Sequence, residues 1–351
     1  MEEKVREKHL LILNYCMDEK DPILSQQVQV VLKLLPMFDR VTVITGRIGV
    51  YPIAKNLNVF NTKWKPGYNL SNAFRFFLTT VPVLIKDRPD VIFSHMTEVQ
   101  SFLLSFFSKL LKIRHFLWYA HTSKSFFLKW NHVWLNGIIT STSGSCPITS
   151  KKVIPIGQAV SAEQFLFKKN KSYALKKIVH IGRSDLSKNI NLIIDSVIEI
   201  RKKFGDLTLT LIGTPSTEYE RRREYEIINK FNQEVSNGWL IFKKAISRNE
   251  VPEILHENDI FIHAYLGSLD KTLIEATLSG IPVVSTNNEY KKIFGSWGSY
   301  DGANIDLNKE LEFVLNAPRA IIDVELMRRY EIAKNEHSLN AWVQKLYVLL
   351  N

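Results

Sequence analysis

The stretch from His263 to Ser285 constrains the fold more tightly than any other part of the chain. Residues 260–264 are a short apolar, β-prone run, and Gly267-Ser268 supplies a turn. Ser268 or Asp270 can cap a helix that Gly280 ends, with Pro282 just past that end. Val283 and Val284 open a second buried strand. Strand, tight turn, short helix, strand is the signature of a parallel βαβ unit. A helix that starts directly after a parallel strand turns its free N–H groups and positive dipole end toward the crevice at the sheet's carboxyl edge. That is a site for a diphosphate. Glu275, about one and a half turns into the helix, stands where it can accept hydrogen bonds from ribose hydroxyls. The plain alternative is a structural βαβ unit with Lys271 and Glu275 as a surface pair at i,i+4. Spacing alone leaves both readings open.

The same alternation runs through the chain. Strand candidates in the first half are 10–13, 41–45, 91–94, 116–119, 138–141 and 153–156. Apolar residues at helical spacing fill 24–37, 70–85, 99–111 and 123–134 between them. Alternating β and α with few hairpin signals predicts a parallel sheet covered on both faces. After a basic polar segment, 168–177, a second alternation begins with strand 178–181, the Gly182 turn and a helix carrying Ile190, Ile193, Ile194, Val197 and Ile200 on one face. Strand 207–212 leads into Gly213, a very charged helix over 218–232, strand 240–242 and helix 249–255. A length of 351 residues fits two domains. The boundaries expected are 1–165 and 166–335, with a final helix, 336–351, joining the first domain.

Charge is shared unevenly. Residues 1–157 carry 20 Lys/Arg against 10 Asp/Glu, whereas 158–351 carry 26 against 25. The excess lies among aromatics, as in Phe74-Arg75-Phe76-Phe77, Phe106-Phe107-Ser108-Lys109 and Phe126-Phe127-Leu128-Lys129-Trp130. Basic and aromatic residues together suit an anionic membrane surface. The rival is an ordinary core with solvated lysines. No nucleic-acid motif accompanies the charge, so nucleic acid is not expected as a partner. Cys16 and Cys146 are far apart in apolar surroundings and show no metal-ligand spacing, which fits a reduced, cytoplasmic protein. The first residues lack a signal-peptide layout. No apolar run reaches the roughly 20 residues a bilayer span needs.

Several polar residues stand at strand ends. His95 and His121 each follow a strand, where open parallel sheets place ligands. His121 also stands at an expected helix start, before Thr122 and Ser123; a histidine satisfied by a backbone carbonyl is the structural alternative for either. The first strand-to-helix connection, 14–22, contains no glycine, and the second strand ends Thr45-Gly46-Arg47 without an acidic residue. A dinucleotide fingerprint is therefore absent, as is a P-loop. In the second half Arg183 and Lys188 flank one loop and can converge on one anion, the first as a planar fork and the second as a point charge. Two solvated loop cations are the alternative.

These residues together resemble glycosyltransferase family 4, the group 1 glycosyl transferases. The resemblance is carried by Gly182-Arg183 with Lys188-Asn189, by Gly213 closing the next strand, and by Leu273-Ile274-Glu275-Ala276 with Gly280-Ile281-Pro282-Val283-Val284. The first half matches more loosely, through Arg88-Pro89-Asp90-Val91, Trp118-Tyr119-Ala120-His121 and Pro155-Ile156-Gly157. The resemblance implies an α/β protein of two Rossmann-like domains facing across a cleft, the B-type fold. It implies a nucleotide-diphosphate sugar as donor and no cofactor, while the basic, aromatic first half points to a glycan or lipid-linked acceptor. Arg183 and Lys188 would neutralise the diphosphate and Glu275 would hold the ribose. Gly182, Gly213, Ser268, Leu269, Asp270, Lys271 and Thr272 would complete the donor site, the base lying near Gly213 and Lys244-Ala245-Ile246. His121 would reach the transferred sugar. Two departures stand out. The family usually carries a glutamate eight residues before the one at 275, and here that place is Gly267, leaving Asp270 or Lys271 as substitutes. The first domain's glycine-rich loop is also missing, so the amides of Pro22 to Ser25 would have to approach the phosphate.

Departure of a nucleoside diphosphate builds charge on the leaving phosphate, which fixed cations and amide dipoles stabilise. No Asp-x-Asp pair occurs in the sequence, so Arg183 and Lys188 would do what a metal does elsewhere. The expected activity is metal-independent sugar transfer, with the retention at the anomeric carbon that the resemblance implies, in cell-surface polysaccharide or glycolipid synthesis at the inner face of the membrane. A non-catalytic sugar-nucleotide binding protein is one alternative. An epimerase or phosphorylase on the same fold is the other.

Overall fold

The computed structural model describes residues 7–21, 23–65, 67, 69–168, 175–298 and 306–351. The chain divides into two compact units, Met1–Gly157 with Leu339–Asn351, and Gln158–Ser338. In the first, β1 (His9–Met17), α1 (Gln26–Leu34), β2 (Arg40–Ile48), β3 (Leu57–Asn61), α2 (Leu70–Lys86) and β4 (Val91–His95) are followed by α3 (Glu98–Leu110), β5 (Arg114–Trp118), α4 (Phe126–Trp134), β6 (Gly137–Thr140) and β7 (Val153–Pro155). The strands form one parallel sheet in the order β3-β2-β1-β4-β5-β6-β7. Leu10 sits opposite Val41 on one side and Val91 on the other, so the order reverses between β1 and β4. Continuous apolar runs such as Leu10 to Leu13 are wholly buried, as strands covered on both faces require. All six expected strands are present. The seventh, β3, was not anticipated, because its asparagines and exposed Phe60 belong to an edge.

The second unit contains β8 (Lys177–Ile181), α5 (Ile190–Phe204), β9 (Thr208–Ile212), α6 (Glu218–Lys230), α7 (Asn232–Ser236), β10 (Leu240–Lys243), α8 (Val251–Glu257) and β11 (Ile260–His263). After these come α9 (Lys271–Leu278), β12 (Val283–Ser285), α10 (Asn288–Phe294), α11 (Leu307–Asn316) and α12 (Arg319–His337). Its parallel sheet runs β10-β9-β8-β11-β12. Successive strand residues feed opposite faces. Ile178, Ile262 and Val284 pack with α5 and α11 on one side. Val179, Phe261 and Val283 pack with α8 and α9 on the other. Helices α10 to α12 were not anticipated. The apolar residues of α12 gather on no single face, so periodicity gives no signal there. It is anchored instead by buried Arg329, whose guanidinium lies 4.3 Å from the Trp297 ring centroid and donates to the carbonyl of Gly295 at 3.1 Å.

The last helix, α13 (Leu339–Leu350), returns to the first unit and packs on α1. Trp342 is fully buried, with ring centroids 5.0 Å from Trp118, 6.1 Å from Phe93 and 6.3 Å from His95. His95, at the end of β4, is therefore part of this aromatic core. Removing the indole leaves a cavity as well as lost burial. We expect Trp342→Ala to destabilise the first unit by about 3–5 kcal/mol, read as a lower urea midpoint. An unchanged midpoint would show that the ring does not hold the helix in place.

Candidate functional site

The second unit brings four strand exits together at the carboxyl edge of its sheet. A Cβ on Gly213 would lie 1.8 Å from the Gly182 carbonyl oxygen, so the exits of β8 and β9 meet backbone to backbone and only glycine fits. The Gly182 N–H donates to the Ile212 carbonyl at 3.0 Å and the Gly213 N–H to Lys243 at 3.0 Å. The Ala245 N–H donates to Thr214 Oγ1 at 3.1 Å. These bonds tie the Lys244-Ala245-Ile246 segment to the same edge.

Beyond β11 the chain turns through Tyr265 to Asp270 before α9. Asp270 is the N-cap, its carboxylate accepting from the Thr272 N–H at 3.4 Å, and Lys271 opens the helix. Gly280, just past the helix end, has φ +77°, the left-handed conformation that favours glycine. The turn's carbonyls are held from two sides. Asn287 shares its amide among Tyr265 (2.9 Å), Gly267 (3.2 Å) and Ser268 (3.2 Å). Gln158 donates to the Leu269 carbonyl at 2.7 Å. Neither residue was picked out from sequence, because each acts on a turn at least 19 residues away. A Cβ on Gly267 would lie 2.1 Å from the Tyr265 ring. Where the family resemblance leads one to expect a glutamate, glycine leaves room for a tyrosine.

That ring covers Lys188, whose ammonium lies 4.3 Å from its centroid. Lys188 comes from the turn between β8 and α5 and is buried. It forms an ion pair with Asp270. Burial opposes the Asp270 charge, but Lys188 and His263 together hold the carboxyl well below its ordinary value. Burial also lowers the His263 pKa, leaving a neutral ring. A carboxylate can only accept, so the His263 Nε2–H donates to Asp270 at 3.3 Å. His263 Nδ1 then accepts from Ser285 Oγ at 3.4 Å, and Ser285 Oγ accepts from the Asn287 N–H at 3.0 Å. One polar chain thus runs from the α10 cap to the Lys188 ammonium.

Glu275 is fully buried, which raises its pKa against the pull of Arg248 and Lys271. Arg248, from the loop before α8, pairs with Oε1, while Oε2 is buried with no hydrogen-bond partner among the described residues. Lys271, one helical turn before Glu275, has its pKa pulled down to about 8 by burial, with the Arg248 charge adding to the effect. Arg248 was missed in the sequence because its partner lies 27 positions away and the loop carries no motif.

The other expected residues are placed differently. Arg183 is exposed and pairs with Asp185 at 3.1 Å, and Asp185 in turn accepts from the Ser216 N–H and Oγ at 2.9 Å each. It does not share the buried cluster that holds Lys188. His121 belongs to the first unit, exposed, with its ring edge-on to Tyr119 at 5.7 Å. Pro22 lies outside the described residues. The Ile23 and Leu24 amides already donate to the Asp21 carboxylate, at 3.0 and 2.7 Å, and the Ser25 amide to the Asp21 carbonyl at 3.3 Å. The expectation that these amides face a phosphate is therefore corrected: Asp21 uses them.

HepE of Anabaena, solved with UDP and glucose, superposes with a TM-score of 0.70 at 13% identity, covering 98% of this chain and 99% of that one. Sucrose-phosphate synthase of Thermosynechococcus elongatus gives 0.75 at 13% identity, with 98% of each chain covered. A glycosyltransferase of Rickettsia africae gives 0.73 at 10% identity, again over 98% of each. No curated protein matches the sequence. The fold is the B-type glycosyltransferase fold of two Rossmann-like domains. Residues 161–314 match the family model described as glycosyl transferases group 1. The chain carries that domain and is a glycosyltransferase.

The Lys188–Asp270 pair has a pH signature. Because the folded pKa of Asp270 lies below its ordinary 3.8, the pair's contribution is complete above about pH 4 and fades as pH falls through the folded value. Asp270→Asn leaves a buried ammonium uncompensated. It should cost about 3–5 kcal/mol at pH 7, with the difference from the parent shrinking below pH 4. A deficit of the same size at pH 7 and pH 2, measured by urea unfolding, would rule out the pairing as its cause.

Proposed function

We propose that the chain transfers a sugar from a nucleotide-diphosphate sugar to a glycan or lipid-linked acceptor, with retention at the anomeric carbon and without a metal ion. The observation that carries this reading is the start of α9, where Asp270 caps the helix, Lys188 and Lys271 adjoin it, and Glu275 follows one turn on. A diphosphate at this edge meets Lys188, Lys271 and, from the β8 exit, Arg183. The bond from the anomeric carbon to the leaving phosphate oxygen breaks, and the acceptor hydroxyl oxygen bonds to the same face. The hydroxyl proton passes to the departing phosphate. The cations stabilise the charge that grows on that phosphate, a gain specific to the transition state. Glu275 Oε2 supplies an acceptor for a ribose hydroxyl. His121 is assigned to the transferred sugar on the family resemblance alone.

Since HepE was solved with UDP and glucose, UDP-sugars head the donor panel, with GDP- and ADP-sugars beside them. The true donor should raise the melting temperature by mass action, and turnover should persist in EDTA. Complete loss of turnover in EDTA would remove the metal-independent mechanism. Arg183→Ala and Lys188→Ala should each lower kcat/KM by about 10²-fold or more, and near-parent rates would remove the residue from the site. Gly267 keeps a second reading alive, donor binding without transfer. Calorimetric binding with no turnover over a broad acceptor panel would favour it.

The lipid-linked acceptor is favoured by one face of the first unit, and with it cell-surface polysaccharide or glycolipid synthesis at the cytoplasmic side of the membrane. Leu70, Phe74, Leu78 and Ile85 on α2, Phe106 and Leu110 on α3, and Phe126, Trp130 and Val133 on α4 are all exposed. Rings link the three helices, Phe77 to Phe107 at 5.8 Å and Phe102 to Phe126 at 6.0 Å. Exposed Lys86, Lys109, Lys112, Lys124 and Lys129 accompany them. No helix among the described residues is long and apolar enough to cross a membrane, so this face would rest on the surface. Anionic vesicles should bind the protein more tightly than neutral ones, and Phe106→Ser with Trp130→Ser should abolish the difference. Equal, negligible binding to both vesicle types would refute the surface.

A further inference from the structure

Glu275 combines two features that do not usually coexist at neutral pH: complete burial, and a carboxylate oxygen with no hydrogen-bond partner among the described residues. The residue that makes this tenable is Arg248. Its loop is fixed by a capping box in which the Ser247 N–H donates to Glu250 at 2.8 Å and the Ser247 side chain accepts from the Glu250 N–H. The guanidinium is thereby delivered to Glu275 Oε1, while about two-fifths of its own surface stays in solvent. We infer that Arg248 is a positioning residue that keeps Glu275 an oriented, ionised double acceptor for the two hydroxyls of the donor's ribose.

The inference rests on the proposed ribose role of Glu275 and adds to it the group that makes that role possible. An ionised carboxylate offers only acceptors, whereas a protonated one turns one oxygen into a donor. A cis-diol brings two O–H groups to be accepted, so protonation spoils the match. The charged groups acting on Glu275 are Arg248 from the loop before α8, and Lys271 and Asp270 from the start of α9. Burial raises the Glu275 pKa, Arg248 opposes it most, Lys271 less, and Asp270 adds to the rise. With Arg248 removed, burial and Asp270 are opposed by Lys271 alone. Glu275 then holds its proton to higher pH, and ribose recognition fails on the acid side and recovers as pH rises.

The test uses the full chain and whichever of UDP, GDP or ADP gives the largest thermal shift, compared with its 2′-deoxy form. Affinities are measured by calorimetry at pH 6.0, 7.5 and 9.0 for the parent, Arg248→Gln, Arg248→Lys and Glu275→Gln. The parent should prefer the ribonucleotide at each pH. Arg248→Gln should lose about tenfold in affinity for it at pH 6.0, the size of a lost hydrogen bond to a charged group, and regain most of this by pH 9.0. Arg248→Lys, which keeps the charge, should stay near the parent and also serves if the glutamine variant does not fold. A parent-like, pH-independent preference in Arg248→Gln overturns the role of Arg248 and leaves the ribose role of Glu275 intact. A loss that no pH restores, shared by Arg248→Lys, also overturns it, by placing Arg248 in direct contact with the ligand. No ribose preference in the parent, an undiminished one in Glu275→Gln, or no binding of any of the three nucleotides removes the ribose reading itself.

Discussion

The second unit depends on one carboxylate meeting three demands at once. Asp270 ends the free turn after β11, caps α9, and compensates a lysine taken out of water. Each demand alone has many solutions. Together they fix the distance between the turn after β8 and the start of α9, because Lys188 and Asp270 belong to those two segments and neither charge is tolerable without the other. His263 and Ser285 extend the constraint into β11 and β12. The edge of the sheet is thus organised by polar contacts, while the apolar residues of its strands are committed to the two helix layers.

That division explains what could be read from the sequence. The layers were legible because burial on both faces imposes long apolar strands separated by amphipathic helices, and the six strands of the first half stand where that pattern puts them. Asp270 as a cap and Gly280 as a helix end were legible because both act within a few residues of themselves. The contacts that complete the site were not. Arg248, Asn287 and Gln158 reach it from distant positions, and a single sequence carries no mark of such pairings. Tyr265 was hidden for another reason: its placement follows from the absence of a side chain at Gly267.

Arg183 and Lys188 show how the two kinds of information differ. Five positions apart in one loop, they look equivalent as cations. The 3-10 turn Leu186–Lys188 and the left-handed Asn189, held by its own bond to the Ala264 carbonyl at 3.0 Å, bury one and leave the other at the surface. The buried cation is fixed and already neutralised. The exposed one pairs with Asp185 and keeps more of its rotamer freedom.

The return of α13 to the first unit has a consequence for synthesis. Every segment of the second unit has been translated before the helix that carries Trp342 is made. The later-encoded lobe can therefore reach its final form while the earlier one still lacks a piece of its centre. Until then Phe93, His95 and Trp118 have no indole to pack against, and the first half of the chain waits for residues 339–350 to be made.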